Sequence, residues 1–433
     1  MRKIKKHIAI ANPEVFKTKL LLWAKQFSHH IFLDSNNHQE GNYSSYDAVL
    51  AVDAFTAIKT DADQAFKKLQ DYYSATQDWI FGYLSYDLKM DTDGLQSTNY
   101  DGLLFPELYF FQPKKIFLLK ENDLEVHYLN YVFDELEDDL EAIKNHVITF
   151  EYTHPNLLIQ ERIAQQDYLQ KIAQLQKHIG LGDIYEANFC MEFFSEQAQI
   201  DPLFTFIKFN EISRAPFAVY FQMEHFHLLS ASPERFLRKQ KNKIISQPIK
   251  GTSKRSPDRV EDQQFAHQLQ TSNKERSENI MIADLVRNDL SKTALPNSVQ
   301  VEELCGLYTF KQVHQLITTV VSQVADSISP VAILQSTFPM GSMTGVPKKR
   351  AMEIIEKLEK TKRSVYSGAV GYITPEGDFD FNVVIRSILY NSKNRYLSFS
   401  VGGAITYQSQ PEKEYQECLI KAEAMKKVLS IKN

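Results

Sequence analysis

At 433 residues the sequence is longer than one hydrophobic core usually serves, so two or three domains, or one elaborate fused core, are expected. Apolar residues make up 43% and aromatics 12%, which excludes long disordered stretches, and a net charge of −5 excludes a chain-wide basic field for binding nucleic acid. Three scattered cysteines, Cys190, Cys305 and Cys418, form no CxxC and support neither a disulfide framework nor a structural zinc site.

In chain order, the basic start MRKIKKHIAIANPEVFKTKLLLW is broken by Asn12, Pro13, Glu14, Lys17 and Lys19. It therefore lacks the apolar region of a signal peptide. No later run approaches the ~18 apolar residues of a membrane span. A soluble, cytoplasmic protein without membrane or nucleic-acid partners is the expectation. The segments DAVLAVDA and KKIFLLK read as strands, and the acidic run FDELEDDLEAI as a solvated helix face. The turn-prone EYTHPNL, Glu151 to Leu157, sets a soft boundary. It gives an N-terminal domain over 1–157 and a second domain over 158–433, the two expected to share one intertwined core.

Beyond the boundary, QQDYLQKIAQLQKHIG carries Tyr168, Ile172, Leu175 and Ile179 at helical spacing and ends at Gly180 and Gly182. DIYEANFCMEFF, FAVYFQM, HLLSAS and KIISQPI read as strands without regular helices between them, so a mixed α+β fold is favoured over a doubly wound sheet. Ser256 and Pro257 predict a helix start, followed by a second helix over KERSENIMIADLVRNDL. Pro347 opens KKRAMEIIEKLEK, with Ala351, Ile354, Ile355 and Leu358 on one face, and PEKEYQECLIKAEAMKKVL is the last predicted helix.

Four segments carry groups suited to chemistry. Lys250 of PIKGTS follows a strand; taken alone it reads as a surface lysine, since only desolvation or a neighbouring cation makes a lysine nucleophilic. Glu275 and Glu278 lie three apart on one helix, and Glu414 and Glu417 repeat that spacing on another, with Lys421 four residues on. Each pair alone fits a surface ion-pair pattern, whereas facing each other they would offer oxygen ligands for Mg²⁺. FPMGSMTGVPKKRAMEII is a glycine turn feeding a helix, and its spacing departs from a P-loop. Gly402 and Gly403 of VGGAIT permit close backbone approach to a ligand, or a bulge.

Taken in order, SPERF, PIKGT, ERSENIMIADLVRNDLS, FPMGSMTGVPKKRAMEII, YSGAVGYI, IRS, VGGAI and EYQECLIKA resemble the chorismate-utilising family of anthranilate synthase component I and aminodeoxychorismate synthase component I. The likeness runs over about residues 160 to 428, and eight ordered motifs are far more specific than any one. It implies a duplicated antiparallel β-sandwich core flanked by helices. Lysine after PI resembles the aminodeoxychorismate branch, where anthranilate synthases generally carry a small residue. The resemblance then implies that Lys250 attacks C2 of chorismate while Glu234 protonates the departing C4 hydroxyl, before ammonia adds at C4. Anthranilate synthesis is the alternative activity, and a non-catalytic scaffold for an amidotransferase is the alternative of another class.

By the same resemblance Glu278 and Glu417 would bind Mg²⁺, with Glu275 and Glu414 behind them. Arg386, Lys421, Gly402 and Gly403 would hold the substrate's anionic ends, and Tyr366 and Thr252 would border it. His314 and Thr344 match pocket positions, Thr344 near the leaving hydroxyl. The family commonly reads GDIYQ, or a lysine where water is the nucleophile, but this chain reads GDIYE. Glu186 therefore argues against water as nucleophile; it is placed with the substrate-binding residues, either tuning Lys250 by hydrogen bonding its ammonium or serving a structural role. Met340 and Val346 also depart from the usual small residues. Ser35 of FLDS, with Tyr43 and Ser44 of YSSYD, resembles a tryptophan pocket. No glutamine amidotransferase signature is present, so ammonia is expected from a separate amidotransferase subunit or from solution, and no fused lyase is expected after the last motif.

Overall fold

The computed structural model describes residues 2–38, 43, 45–149, 157–310 and 313–429; most of EYTHPNL and Ser44 lie outside the described residues. All ladders between its strands are antiparallel, and the network folds into two layers. The first layer runs Arg2–Ala9, Asp123–Leu129, the second half of Leu108–Lys120, Ala48–Thr60, His29–Asp34, Phe217–Met223 and Phe226–Ser232. It continues through Ser387–Asn391 and Tyr396–Ile405 to Glu186–Ser195. The second runs from the first half of Leu108–Lys120 through Ile80–Leu84, Ala369–Ile373, Phe379–Val383, Arg235–Gln240 and Lys243–Gln247 to Val313–Gln323. Ile249–Lys254 and Gln300–Thr309 also pair with Val313–Gln323. Leu108–Lys120 thus belongs to both layers.

Side-chain alternation along the first layer explains how it is covered on both faces. Ile31, Val219, Phe221 and Leu228 meet Phe81, Tyr83, Val370 and Phe381 of the second layer in an inner core. Their neighbours Phe32, Tyr220 and Leu229 point the other way, against helices Pro13–Ala24, Gln165–Gly180, Pro202–Ser213 and Pro411–Leu429. Strand His29–Asp34 pairs with Phe217–Met223, and Ile80–Leu84 with Ala369–Ile373, so residues on either side of 158 contribute to the same ladders and cores.

Local outcomes follow the patterning with two shifts. The helix expected from Ser256 begins at Arg259, because the Asp258 carboxylate accepts from the Glu261 amide at 2.8 Å and Ser256 instead bonds Glu261 and Asp262. KIISQPI is two strands, Lys243–Gln247 and Ile249–Lys254, because Pro248 has no amide to donate to the ladder. The acidic run forms helix Leu136–Asn145, where Leu136, Leu140 and Ile143 are buried and Asp139 receives Lys115 and Tyr128.

Candidate active site

Where strands Ile249–Lys254 and Tyr396–Ile405 face helices Asn273–Ser291 and Pro411–Leu429, the chain encloses a cavity of about 480 Å³, within the range of small-molecule sites. Its wall includes Glu234, Lys250, Thr252, Tyr366, Arg386, Gly402, Gly403 and Lys421, together with Glu275, Glu278, Glu414 and Glu417. Helical spacing brings each glutamate pair to one face, and Gly402 and Gly403 leave the strand wall bare.

Glu234 sits in the turn after strand Phe226–Ser232, with its amide on Ser232 Oγ at 3.2 Å. It is 5% exposed. Burial pushes its carboxyl up to about 7 against the opposing pull of Ser342 and Lys250, so near neutrality it holds a proton it can donate. Lys250 projects from a bulge in Ile249–Lys254, where Gly251 takes φ +87°. A Cβ at Gly251 would be strained and would lie 3.1 Å from Glu275 Oε2. Lys250 Nζ donates to Glu186 Oε1 at 3.2 Å. Burial alone would depress this lysine, but the charges of Glu186 and Glu278 outweigh it and hold Nζ as an ammonium.

The Arg386 guanidinium reaches the cavity with no hydrogen bond or ion pair among the described residues, and its burial lowers its pKa. A part-buried guanidinium with no hydrogen-bonded partner, on which Glu417 acts only at longer range, suits a carboxylate. Lys421 is already engaged, donating to Glu417 Oε1 at 2.6 Å and to the Gly402 carbonyl at 2.8 Å.

The four glutamates suit a hard cation by donor chemistry. Burial raises Glu278 to about 7 and also raises Glu275 and Glu414, whereas Lys421 outweighs burial at Glu417 and lowers it. Lys421 stands 2.6 Å from Glu417 and Lys274 3.8 Å from Glu278, so protein cations already reach two of the four. Among the described residues no three His, Cys, Asp or Glu side chains converge closely enough to grip a metal alone. Mg²⁺ needs no more than one or two carboxylates, with water and substrate oxygens completing its shell, so this donor set fits it.

Three further residues sit outside the cavity lining. His314 faces away from the cavity, because along Val313–Gln323 the lining positions are Val313 and Gln315 and successive side chains alternate. Its ring is held by Asp262 at 3.0 Å and Thr309 at 2.9 Å. Thr344 is wholly buried, its hydroxyl on the carbonyls of Met340 and Gly341 at 3.3 and 3.2 Å. Glu186 lies behind Lys250, 1% exposed. Ser35 borders a separate pocket of about 80 Å³, while Tyr43 hydrogen-bonds Glu302 and Lys243 outside it. Asn188, Lys274, Gln315 and Ser342 line the cavity without having been singled out from the sequence. Strand parity from Val313 would have found Gln315, and Ser342 lies inside the glycine turn already noted.

Comparison with known proteins follows this geometry. Residues 19–427 match the family described as chorismate binding enzyme. The chain is 38% identical over 270 residues to aminodeoxychorismate synthase component 1 of Escherichia coli (strain K12), covering 62% of this chain and 59% of that one. It is 26% identical over 444 residues to aminodeoxychorismate synthase component 1 of Bacillus subtilis (strain 168), covering 94% and 93%. The structure of anthranilate synthase component I from Streptococcus pneumoniae TIGR4 superposes with a TM-score of 0.77 at 22% identity, over 90% of this chain and 93% of that one, a likeness of fold. The chain thus spans under two thirds of the E. coli relative's length. No helix among the described residues is long and apolar enough to cross a membrane.

Proposed function

This chain belongs to the chorismate binding enzyme family, and we propose that within it the chain aminates chorismate at C4 to give 4-amino-4-deoxychorismate, the precursor of para-aminobenzoate and folate. The observation that carries this reading is the pairing, on one cavity wall, of a lysine with a carboxylic acid raised to about 7. The names of the E. coli and B. subtilis relatives support it.

The Lys250 amine forms a bond to C2, the ring π electrons shift, and the C4–O bond breaks. Glu234 gives its proton to the departing oxygen, which leaves as water. Ammonia then forms the C4–N bond, the electrons shift back, and the C2–N bond breaks to return Lys250. The proton shed by the new ammonium restores Glu234. Arg386 and the bare strand at Gly402 and Gly403 hold a substrate carboxylate, with Tyr366 and Thr252 bordering the ring. Glu278 and Glu417, backed by Glu275 and Glu414, would hold Mg²⁺, which when bound supplies a Lewis acid for the ring carboxylate.

Ammonia would come from a glutamine amidotransferase subunit or from solution, and a cytoplasmic setting fits the three unpaired cysteines. The test is to incubate the purified chain with chorismate, Mg²⁺ and ammonium and identify the product by mass. Aminodeoxychorismate is expected. Fluorescent anthranilate without it overturns the reading in favour of anthranilate synthesis.

A further inference from the structure

An ammonium has no lone pair, so Lys250, held as one by its surroundings, cannot attack until a proton leaves it. Three carboxylates act on it, Glu186, Glu278 and Glu234, and Glu186 is the one hydrogen-bonded to Nζ, at 3.2 Å. Glu234 must already carry a proton for the leaving hydroxyl and has no room for another. Glu278 shares its helix face with Glu275 and belongs to the candidate cation cluster.

Glu186 is built differently. It opens strand Glu186–Ser195, pairs with Val346, and is pressed by Gly345 so closely that a Cβ there would fall 2.3 Å from the Glu186 carbonyl oxygen. That contact explains the glycine and fixes the backbone behind Lys250. The side chain is 1% exposed, and its second oxygen, Oε2, is buried without a hydrogen-bond partner in the protein. An open acceptor oxygen in a dry setting leaves a lone pair on the carboxylate that nothing in the protein claims.

We propose that Glu186 is the proton acceptor of Lys250: as substrate fills the cavity and expels water, the Nζ proton passes along the existing hydrogen bond to the Glu186 carboxylate. One proton moves and no electrons are exchanged with any co-reactant. The charged pair becomes a neutral amine and a neutral acid, a change favoured when solvent is excluded. When the C2–N bond breaks and the amine is released, the proton returns to Nζ. Glu186 does not touch the substrate and acts through Lys250, as a positioning residue. The inference rests on the covalent role given to Lys250 above.

Glu186→Gln tests it, since the amide keeps the size and one acceptor but takes no proton. Turnover is measured at saturating ammonium between pH 6 and 10, beside the rate at which trinitrobenzenesulfonate labels Lys250. At pH 7 kcat should fall by roughly 10²-fold while KM for chorismate stays within a few-fold. The loss should shrink as pH rises, because hydroxide in solution then takes the Nζ proton that the variant's amide cannot accept, and labelling of Lys250 should rise with it. Glu234 and Glu278 face the same lysine, and Lys274 acts on Glu278, so the profile is compared with wild type at equal Mg²⁺. Glu186→Asp should recover part of the rate. A Gln variant as fast as wild type at pH 7 overturns the proposal, as does a loss uniform across pH. Should the Gln variant not fold, Glu186→Ala with added formate replaces it: rescue supports proton acceptance and absence of rescue overturns it. If Lys250→Ala itself turns over normally, the covalent reading fails first, and the two failures are thereby told apart.

Discussion

Two of the cavities lined by charged groups differ in how fully those groups are met within the protein. In the pocket of about 80 Å³ between the layers, Arg235 is locked by Asp380 at 2.9 Å and by Gln247, and Asp34 is met by Lys17 at 3.0 Å. In the cavity of about 480 Å³, Lys250 and Lys421 are paired with Glu186 and Glu417, but among the described residues the Arg386 guanidinium makes no hydrogen bond or ion pair and Glu234 no ion pair. Charges satisfied within the protein hold the layers together, whereas charges left to be satisfied by something else mark a place kept for a ligand. Volume alone does not draw that distinction.

Substitutions can break or sharpen this contrast. The largest effect is expected from Lys250→Ala, which removes the proposed nucleophile and should lower kcat by roughly 10³-fold or more; unchanged turnover with ammonium would sink covalent catalysis. Next is Glu234→Gln, with a loss of about 10²- to 10⁴-fold. Because burial holds the Glu234 acid at about 7, wild-type kcat/KM should decline as pH rises through that value and the proton is lost. The Gln variant should lose that alkaline limb, and a limb that persists assigns it to another group. Arg386→Met should act mainly on binding, raising KM for chorismate about 10- to 100-fold, the worth of a hydrogen bond to a charged group; a KM within twofold of wild type removes Arg386 from the site. The smallest effect belongs to the other cavity. Ser35→Ala should leave chorismate turnover within about twofold, and calorimetric titration with tryptophan on both proteins reads whether the Ser35 hydroxyl serves that ligand.

Much of the cavity was legible because its residues sit in short motifs with fixed local geometry. Glu275 with Glu278, and Glu414 with Glu417, needed only helical spacing to share a face. What spacing does not carry is which face of a strand a motif residue takes once a neighbouring helix competes for it. His314 illustrates this: Asp262, on helix Arg259–Thr271, draws the ring away from the cavity. Thr344 likewise is turned inward by carbonyls of its own tight turn. Nor could sequence show that the lysine of PIKGT meets Glu186, because that contact joins strands 64 positions apart. In the fold, single strands such as FAVYFQM were readable from alternation, while the sharing of Leu108–Lys120 between two layers depends on partners remote in the chain.

The helix Pro411–Leu429 buries Tyr415, Cys418, Ala422 and Met425 in the outer core and on its other side presents Glu414, Glu417 and Lys421 to the cavity. During synthesis this segment follows every other described part of the site out of the ribosome. A nascent chain can therefore close its sheets early, yet its cavity lacks Glu414, Glu417 and Lys421 until that helix docks, and a message cut short before it yields a chain with an uncovered outer core and an incomplete cavity.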